Sequence, residues 1–155
     1  MCDKKNEIEI GSASMKKMCF IVGSDSFEKM MMPFIISQTA EAMDIDVHVF
    51  YTFWGLNLLK KGGADGAKPA GLPFPMKEMG RWMFKKKLAK LGTPKPSELI
   101  KELTEDGNVH LYACNMTMEL MGIKKEELIP EVEKVLGAAA FLEIADDADQ
   151  VLVFA

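Results

Sequence analysis

The apolar positions of the chain fall in short continuous runs separated by stretches with helical spacing. KKMCFIVGSD holds an apolar run from Met18 to Val22, closed by Gly23, Ser24 and Asp25. A run of that length bounded by turn residues reads as a buried parallel strand. Phe27, Met31, Phe34, Ile35 and Gln38 then recur near helical spacing and predict a helix from Phe27 to Met43, capped by Ser24, Asp25 or Ser26. Pro33 falls within it and must occupy the first turn or kink the helix. DIDVHVFYTFW is rich in β-branched and aromatic residues and reads as a second strand, with Phe53 and Trp54 at its end. GLNLLKK predicts one short helix stopped by Gly62 and Gly63.

Residues 62–75, GGADGAKPAGLPFP, have no period and predict a long loop. In MKEMGRWMFKKKLAKL, Met76, Met79, Gly80, Met83, Phe84, Leu88 and Leu91 share one stripe, and Lys77, Arg81, Lys85 and Lys86 lie off it. That is a basic amphipathic helix over 76–91. GTPKPSELIKELTEDG predicts a helix with start signals from Thr93 to Ser97 and a stop at Gly107. NVHLYAC is a third strand, NMTMELMGI a short helix ending near Gly122, KKEELIP a further helical turn and EVEKVLG a short strand. GAAAFLEIADDAD predicts a helix and QVLVFA a last strand. Strands separated by helices predict an α/β fold: a single domain over 16–155 with a mostly parallel sheet, helices on both faces and a helical insertion around 76–91. Residues 1–15 are polar and irregular and predict a loose tail.

Composition narrows the function. At 155 residues the chain can bury a real core as one domain. A net charge of −4 argues against general nucleic-acid binding. The charge is uneven, however: residues 1–76 sum to −1, 77–95 to +6 and 96–155 to −9. A basic island between acidic flanks suggests a partner surface or self-association. The three cysteines, Cys2, Cys19 and Cys114, share no C-x-x-C spacing, so neither a disulfide framework nor a metal site is expected. No G-x-G-x-x-G fingerprint calls for a dinucleotide, and no cofactor is expected. The N-terminus lacks an apolar signal region, and no stretch approaches the roughly 18 apolar residues of a membrane span. The expected compartment is the cytoplasm.

Cys114 is the chemistry-bearing position. It closes the third strand directly before a helix, at the end of the sheet where open α/β folds bind ligands. Unpaired N–H groups and partial positive charge at a helix start favour a thiolate, the nucleophilic form of cysteine. The opposing reading is a small apolar side chain in a packed turn. Cys19 lies within an apolar strand and reads as core, and His48, between Val47 and Val49, as a structural histidine. His110 and Tyr112 share the strand face of Cys114, but His110 stands about 13 Å away along an extended strand, too far to be its base.

The stretch HLYACNMTMELMGIKKEEL resembles the strand–cysteine–helix signature of the DsrE-like sulfur-carrier proteins, in particular the DsrE2 subgroup. FYTFWGLNLLKK and the Pro-Ser-Glu-Leu helix start agree with it, and the likeness runs from about residue 17 to 155. The resemblance implies a DsrE-type fold with a flavodoxin-like layout. It also implies a sulfur carrier or sulfurtransferase holding persulfide sulfur on Cys114, sulfur donor and acceptor proteins as partners, and a homotrimer or homohexamer. No basic residue follows Cys114 within NMTMELMG, unlike the active loops of rhodanese-like enzymes, which disfavours an anionic donor such as thiosulfate. Transfer between protein thiols follows the rules of thiol–disulfide exchange and needs less charge stabilisation.

Gly23, Ser24, Asp25, Phe53, Trp54, Asn115 and Met116 are the expected pocket around Cys114, because parallel strands bring their carboxyl ends together. The alternative function is a non-catalytic small-ligand-binding or adaptor module, working through this pocket or through the basic helix 76–91. That helix can pack on the sheet, form a lid or oligomer contact, or lie on an anionic membrane surface.

Overall fold

The computed structural model of the chain describes residues 15–71, 73, 75–90 and 92–155. The tail expected over 1–15 lies outside the described residues except for Met15, as do Cys2 and Leu91. Five strands form one sheet: β1 (Lys17–Val22), β2 (Asp46–Tyr51), β3 (Val109–Cys114), β4 (Val132–Leu136) and β5 (Gln150–Phe154). Their order is β4-β3-β2-β1-β5 and every neighbouring pair is parallel. The helices are α1 (Phe27–Ala42), α2 (Gly63–Gly66), α3 (Met76–Lys90), α4 (Pro96–Glu105), α5 (Asn115–Met121) and α6 (Ala138–Ala145), with 3-10 segments at Phe53–Leu59 and Lys125–Glu127.

The sheet is covered by different helices on its two faces. Met30 and Phe34 of α1 and Leu99, Ile100 and Leu103 of α4 pack with Phe20, Val47, Val49, Tyr51 and Leu111 on one face. Each such side chain contributes about 1.5–3 kcal/mol by leaving water. The crossover from β4 to β5 carries α6 over the other face, where Phe141 packs with Cys19, Phe50, Tyr112 and Cys114. The Phe50 and Phe141 rings stack at 4.7 Å. Coverage there is incomplete: Val151 and Val153 of the edge strand β5 and Leu142 of α6 are exposed.

Three local expectations are corrected. Phe53 and Trp54 do not end a strand. β2 stops at Tyr51, Thr52 N–H bonds Val22 O at 3.0 Å, and Phe53 then turns into the left-handed region at φ 45. The 3-10 segment is pressed against the end of β1, where a Cβ on Gly55 would lie 2.2 Å from Val22 O. Close backbone packing thus overrides the strand preference of two aromatics. The long loop also contains α2, and Lys68 makes a parallel bridge with Ser26. The stripe of α3, finally, does not pack on the sheet: Met76, Met79, Met83 and Phe84 are exposed, because α1 and α4 already occupy that face. The helix is held through Phe84 against Phe27, ring centroids 5.2 Å apart, and through Glu78, which pairs with Lys68 and Arg81. Pro33 lies in the interior of α1 and is buried. It cannot supply the N–H that the Lys29 carbonyl would accept in a regular helix.

Candidate functional site at the carboxyl end of β3

Cys114 is the last residue of β3 and the N-cap of α5. The parallel register pairs Tyr51 with Ala113, which sets Thr52 and the 3-10 segment beside the cysteine. Thr117, one turn into α5, is buried, and its Oγ1 lies 3.0 Å from Thr52 Oγ1. Phe53 N–H donates to Thr117 Oγ1 at 3.2 Å. This bond helps hold Phe53 in its left-handed conformation, which is costly for a bulky residue and persists only where the surroundings enforce it.

Burial pushes the Cys114 thiol up, but the hydroxyl and N–H of Thr117, the Thr52 hydroxyl and Met116 N–H together outweigh it, and its pKa lies below the ordinary cysteine value. These donors are neutral, so hydrogen bonds to the charged form do the work and a cationic neighbour does not. Cys19 shows the opposite balance. It is fully buried within β1, and burial, only partly opposed by Lys17, raises its thiol pKa. Among the described residues both cysteines are free thiols.

The residues expected around Cys114 divide into two groups. Phe53, Trp54, Asn115 and Met116 lie on the two segments that flank it. Asn115 Oδ1 accepts Met116 N–H at 2.7 Å. Phe53, Trp54, Met116 and, one turn further, Leu120 are all exposed, while Cys114 between these two segments is only 6% exposed. Gly23 lies at the end of β1, its N–H donated to Phe154 O at 2.9 Å. Ser24 and Asp25 line a different cleft of about 510 Å³, with Asn57, Lys68 and Lys77, and Cys114 is not part of its wall. There Asp25 Oδ2 accepts a bond from Asn57 Nδ2 at 3.0 Å. His110 lies at the other end of β3.

Thr52 and Thr117 are absent from the residues that the sequence pointed to. Thr117 carried a signal nonetheless. It stands at the third position of a helix capped by Cys114, from which a hydroxyl folds back toward the cap. Thr52 carried none, since only the register of β2 against β3 brings it there.

Comparison with known proteins agrees with this architecture. Residues 14–73 and 67–153 match the sequence model of the DsrE/DsrF/DrsH-like family. The chain belongs to this family. It is 36% identical over 154 residues to the sulfur carrier protein DsrE2 of Allochromatium vinosum, a match spanning 86% of this chain and 95% of that protein. It is 32% identical over 150 residues to the uncharacterized protein YrkE of Bacillus subtilis, covering 85% of this chain and 92% of the relative. Among solved structures, the protein of unknown function MTH1491 from Methanobacterium thermoautotrophicum shares the fold of this DsrE-like chain. The TM-score is 0.61 at 13% identity, over 88% of this chain and 98% of that one.

Proposed function

We propose that this chain carries sulfane sulfur as a persulfide on Cys114 and passes it to the thiol of a partner protein. The observation that carries the reading is the place of Cys114, at the end of β3 and the start of α5 beside the paired hydroxyls of Thr52 and Thr117, where its thiol pKa lies below the ordinary value. The Cys114 thiolate attacks the outer sulfur of a donor persulfide. A new S–S bond forms at Cys114, the donor's S–S bond breaks, and the donor leaves as a thiolate. An acceptor thiolate then attacks the outer sulfur of the Cys114 persulfide, takes it, and releases the Cys114 thiolate. Each step exchanges one S–S bond for another, so no external oxidant or reductant is consumed. The sulfur-carrier name of the Allochromatium relative supports the same reading. The neutral surroundings of the thiol suit a protein persulfide donor better than an anionic small molecule.

The exposed Phe53, Trp54 and Met116 are the contact for the donor and acceptor proteins in this proposal. Aromatic and methionine side chains suit such a surface. The chain works as a homo-oligomer in the cytoplasm. Val151, Val153 and Leu142, exposed on the incompletely covered face, are its self-contact. Among the described residues no helix is long and apolar enough to cross a membrane.

The test is polysulfide loading of the wild type and Cys114→Ser, followed by intact mass spectrometry. The expected result is a gain of about 32 Da in the wild type alone, removed by dithiothreitol. Equal gain in both proteins, or no gain in a folded wild type, overturns the proposal.

One observation favours an adaptor role instead: α3 turns Met76, Met79, Trp82 and Met83 outward, with Lys86 over the Trp82 ring at 4.9 Å. A basic helix with exposed apolar side chains suits an anionic membrane surface. Cosedimentation with phosphatidylserine vesicles, lost on replacing Lys85, Lys86 and Lys87 by Glu, supports that role, and no cosedimentation removes it.

A further inference from the structure

At the amino ends of β2 and β3, far from Cys114, lies a cluster of a different kind. Asp46 and His48 alternate along β2 and therefore share a face. The register pairs His48 with His110 on β3, which adds a second imidazole to the same face. His48 Nε2 lies 3.2 Å from Asp46 Oδ2, and His110 Nε2 lies 3.0 Å from Asp46 Oδ1. The two rings stack with centroids 4.7 Å apart and planes 13° from parallel. One carboxylate thus sits between two imidazoles, each offering the same nitrogen.

The outer partners decide what those nitrogens can do. His110 Nδ1 lies 2.6 Å from Glu133 Oε2, and an ionised carboxylate only accepts, so Nδ1 carries the proton. His48 Nδ1 lies 3.0 Å from the Tyr112 hydroxyl. With Nδ1 turned to Glu133, His110 Nε2 faces Asp46 Oδ1, and a cation placed between them would take one donor atom from each. A histidine that donates its remote N–H to a carboxylate and offers the other nitrogen is the recurrent arrangement around protein-bound metal ions.

We propose that Asp46, His48 and His110 form a binding site for a divalent transition-metal ion, with Glu133 and Tyr112 orienting the two imidazoles. Two imidazoles and one carboxylate match Zn²⁺, Co²⁺ or Ni²⁺ and not the oxygen-only preference of Ca²⁺ or Mg²⁺. The three donor atoms lie within 4.8 Å of one another. A tetrahedral Zn²⁺ shell sets donor atoms about 3.4 Å apart, so capture draws the rings together by about 1.4 Å at most. The Asp46 side chain is 46% exposed and that of His110 27%, which leaves a path for the ion and a fourth position for water. Lys17, the β1 residue paired with Asp46 in register, directs its charge to Asp147, 2.5 Å away. The site stands on its own residues and is independent of the persulfide reading.

The experiment is calorimetric titration of the full chain with Zn²⁺ alone, in the wild type, Cys114→Ser, His110→Ala and Glu133→Gln. The expected result is one equivalent bound by the wild type and by Cys114→Ser. Binding weakens at least about 100-fold in His110→Ala and about tenfold in Glu133→Gln. Absence of binding overturns the proposal, as does binding that survives His110→Ala or disappears in Cys114→Ser. Should the variants fail to fold, Co²⁺ added to the wild type gives the answer by NMR. Paramagnetic broadening must centre on Asp46, His48 and His110, and broadening centred on Cys114 or any other position overturns the site.

Discussion

At the carboxyl end of β3 a buried thiol caps α5 beside the hydroxyls of Thr52 and Thr117. At the amino end of the same strand, on the same face, His110 is met by the carboxylates of Asp46 and Glu133. Tyr112 and the stacked Phe50 and Phe141 lie between the two, so the ends share a wall but no partner. The difference follows from what each end of a parallel sheet supplies. Strand carboxyl ends run into helices and tight segments that present free N–H groups, which favour an anion. At the amino ends of β2 and β3 the side chains nearest His110 are carboxylates, which favour a cation. Chemistry at a sheet edge is thus set less by the residue than by the direction of the strand that carries it. The two cysteines make the same point: Cys19, in mid-strand, gains no such donors, and its thiol pKa is raised by burial.

The comparison breaks or sharpens at four points, from the largest effect to the smallest. Cys114→Ser should abolish reversible sulfur loading while leaving Zn²⁺ binding intact, as mass spectrometry and calorimetry of one preparation will show. Loss of both would join the two ends. Phe141→Ala removes the side chain on which this face packs and should cost about 3–4 kcal/mol in urea unfolding. Thr117→Val keeps the shape but removes a hydroxyl from the thiol. The Cys114 pKa should then rise and iodoacetamide alkylation at neutral pH slow by about tenfold, since the thiolate is the reacting form. An unchanged rate would leave the Thr52 hydroxyl and the backbone N–H groups as the cause.

The smallest effect is on stability. The folded Cys114 thiol has its pKa below the ordinary value, so the unfolded chain holds its proton to higher pH. Its stabilising contribution is complete above the unfolded value of about 8.5 and is lost as pH falls through the folded value. The stability gap between the wild type and Cys114→Ala should therefore widen from pH 6 to pH 9.5 in paired urea titrations. A gap independent of pH would mean that the thiol pKa is unshifted.

Much of this molecule could be read from the chain. The α1 helix was expected over Phe27 to Met43 and spans Phe27–Ala42, and the parallel α/β sheet follows from the alternation of apolar runs with helical periods. These are short-range signals: a period of 2 or 3.6 residues, a glycine past a helix end, a cysteine between a strand and a helix. The position of Cys114 at a strand end before α5 is one of them. The turn of Phe53 into a 3-10 segment could not be read locally, because it depends on Gly55 lying against the Val22 carbonyl. Nor could the fate of the α3 stripe, since an amphipathic period states that a face seeks a partner without naming the partner.

By itself, then, the sequence determined the elements, the strand alternation and the thiol at a strand end, because each depends on residues within a turn or two of one another. The tertiary structure alone decided which polar groups meet. Thr52 reaches Thr117, and His48 reaches His110, only through the register of β2 on β3, across more than sixty residues of chain. That register is set by the packing of α1, α4 and α6 on the two faces of the sheet. A one-residue slip would move every side chain of the strand to the opposite face, so the buried core fixes both polar clusters.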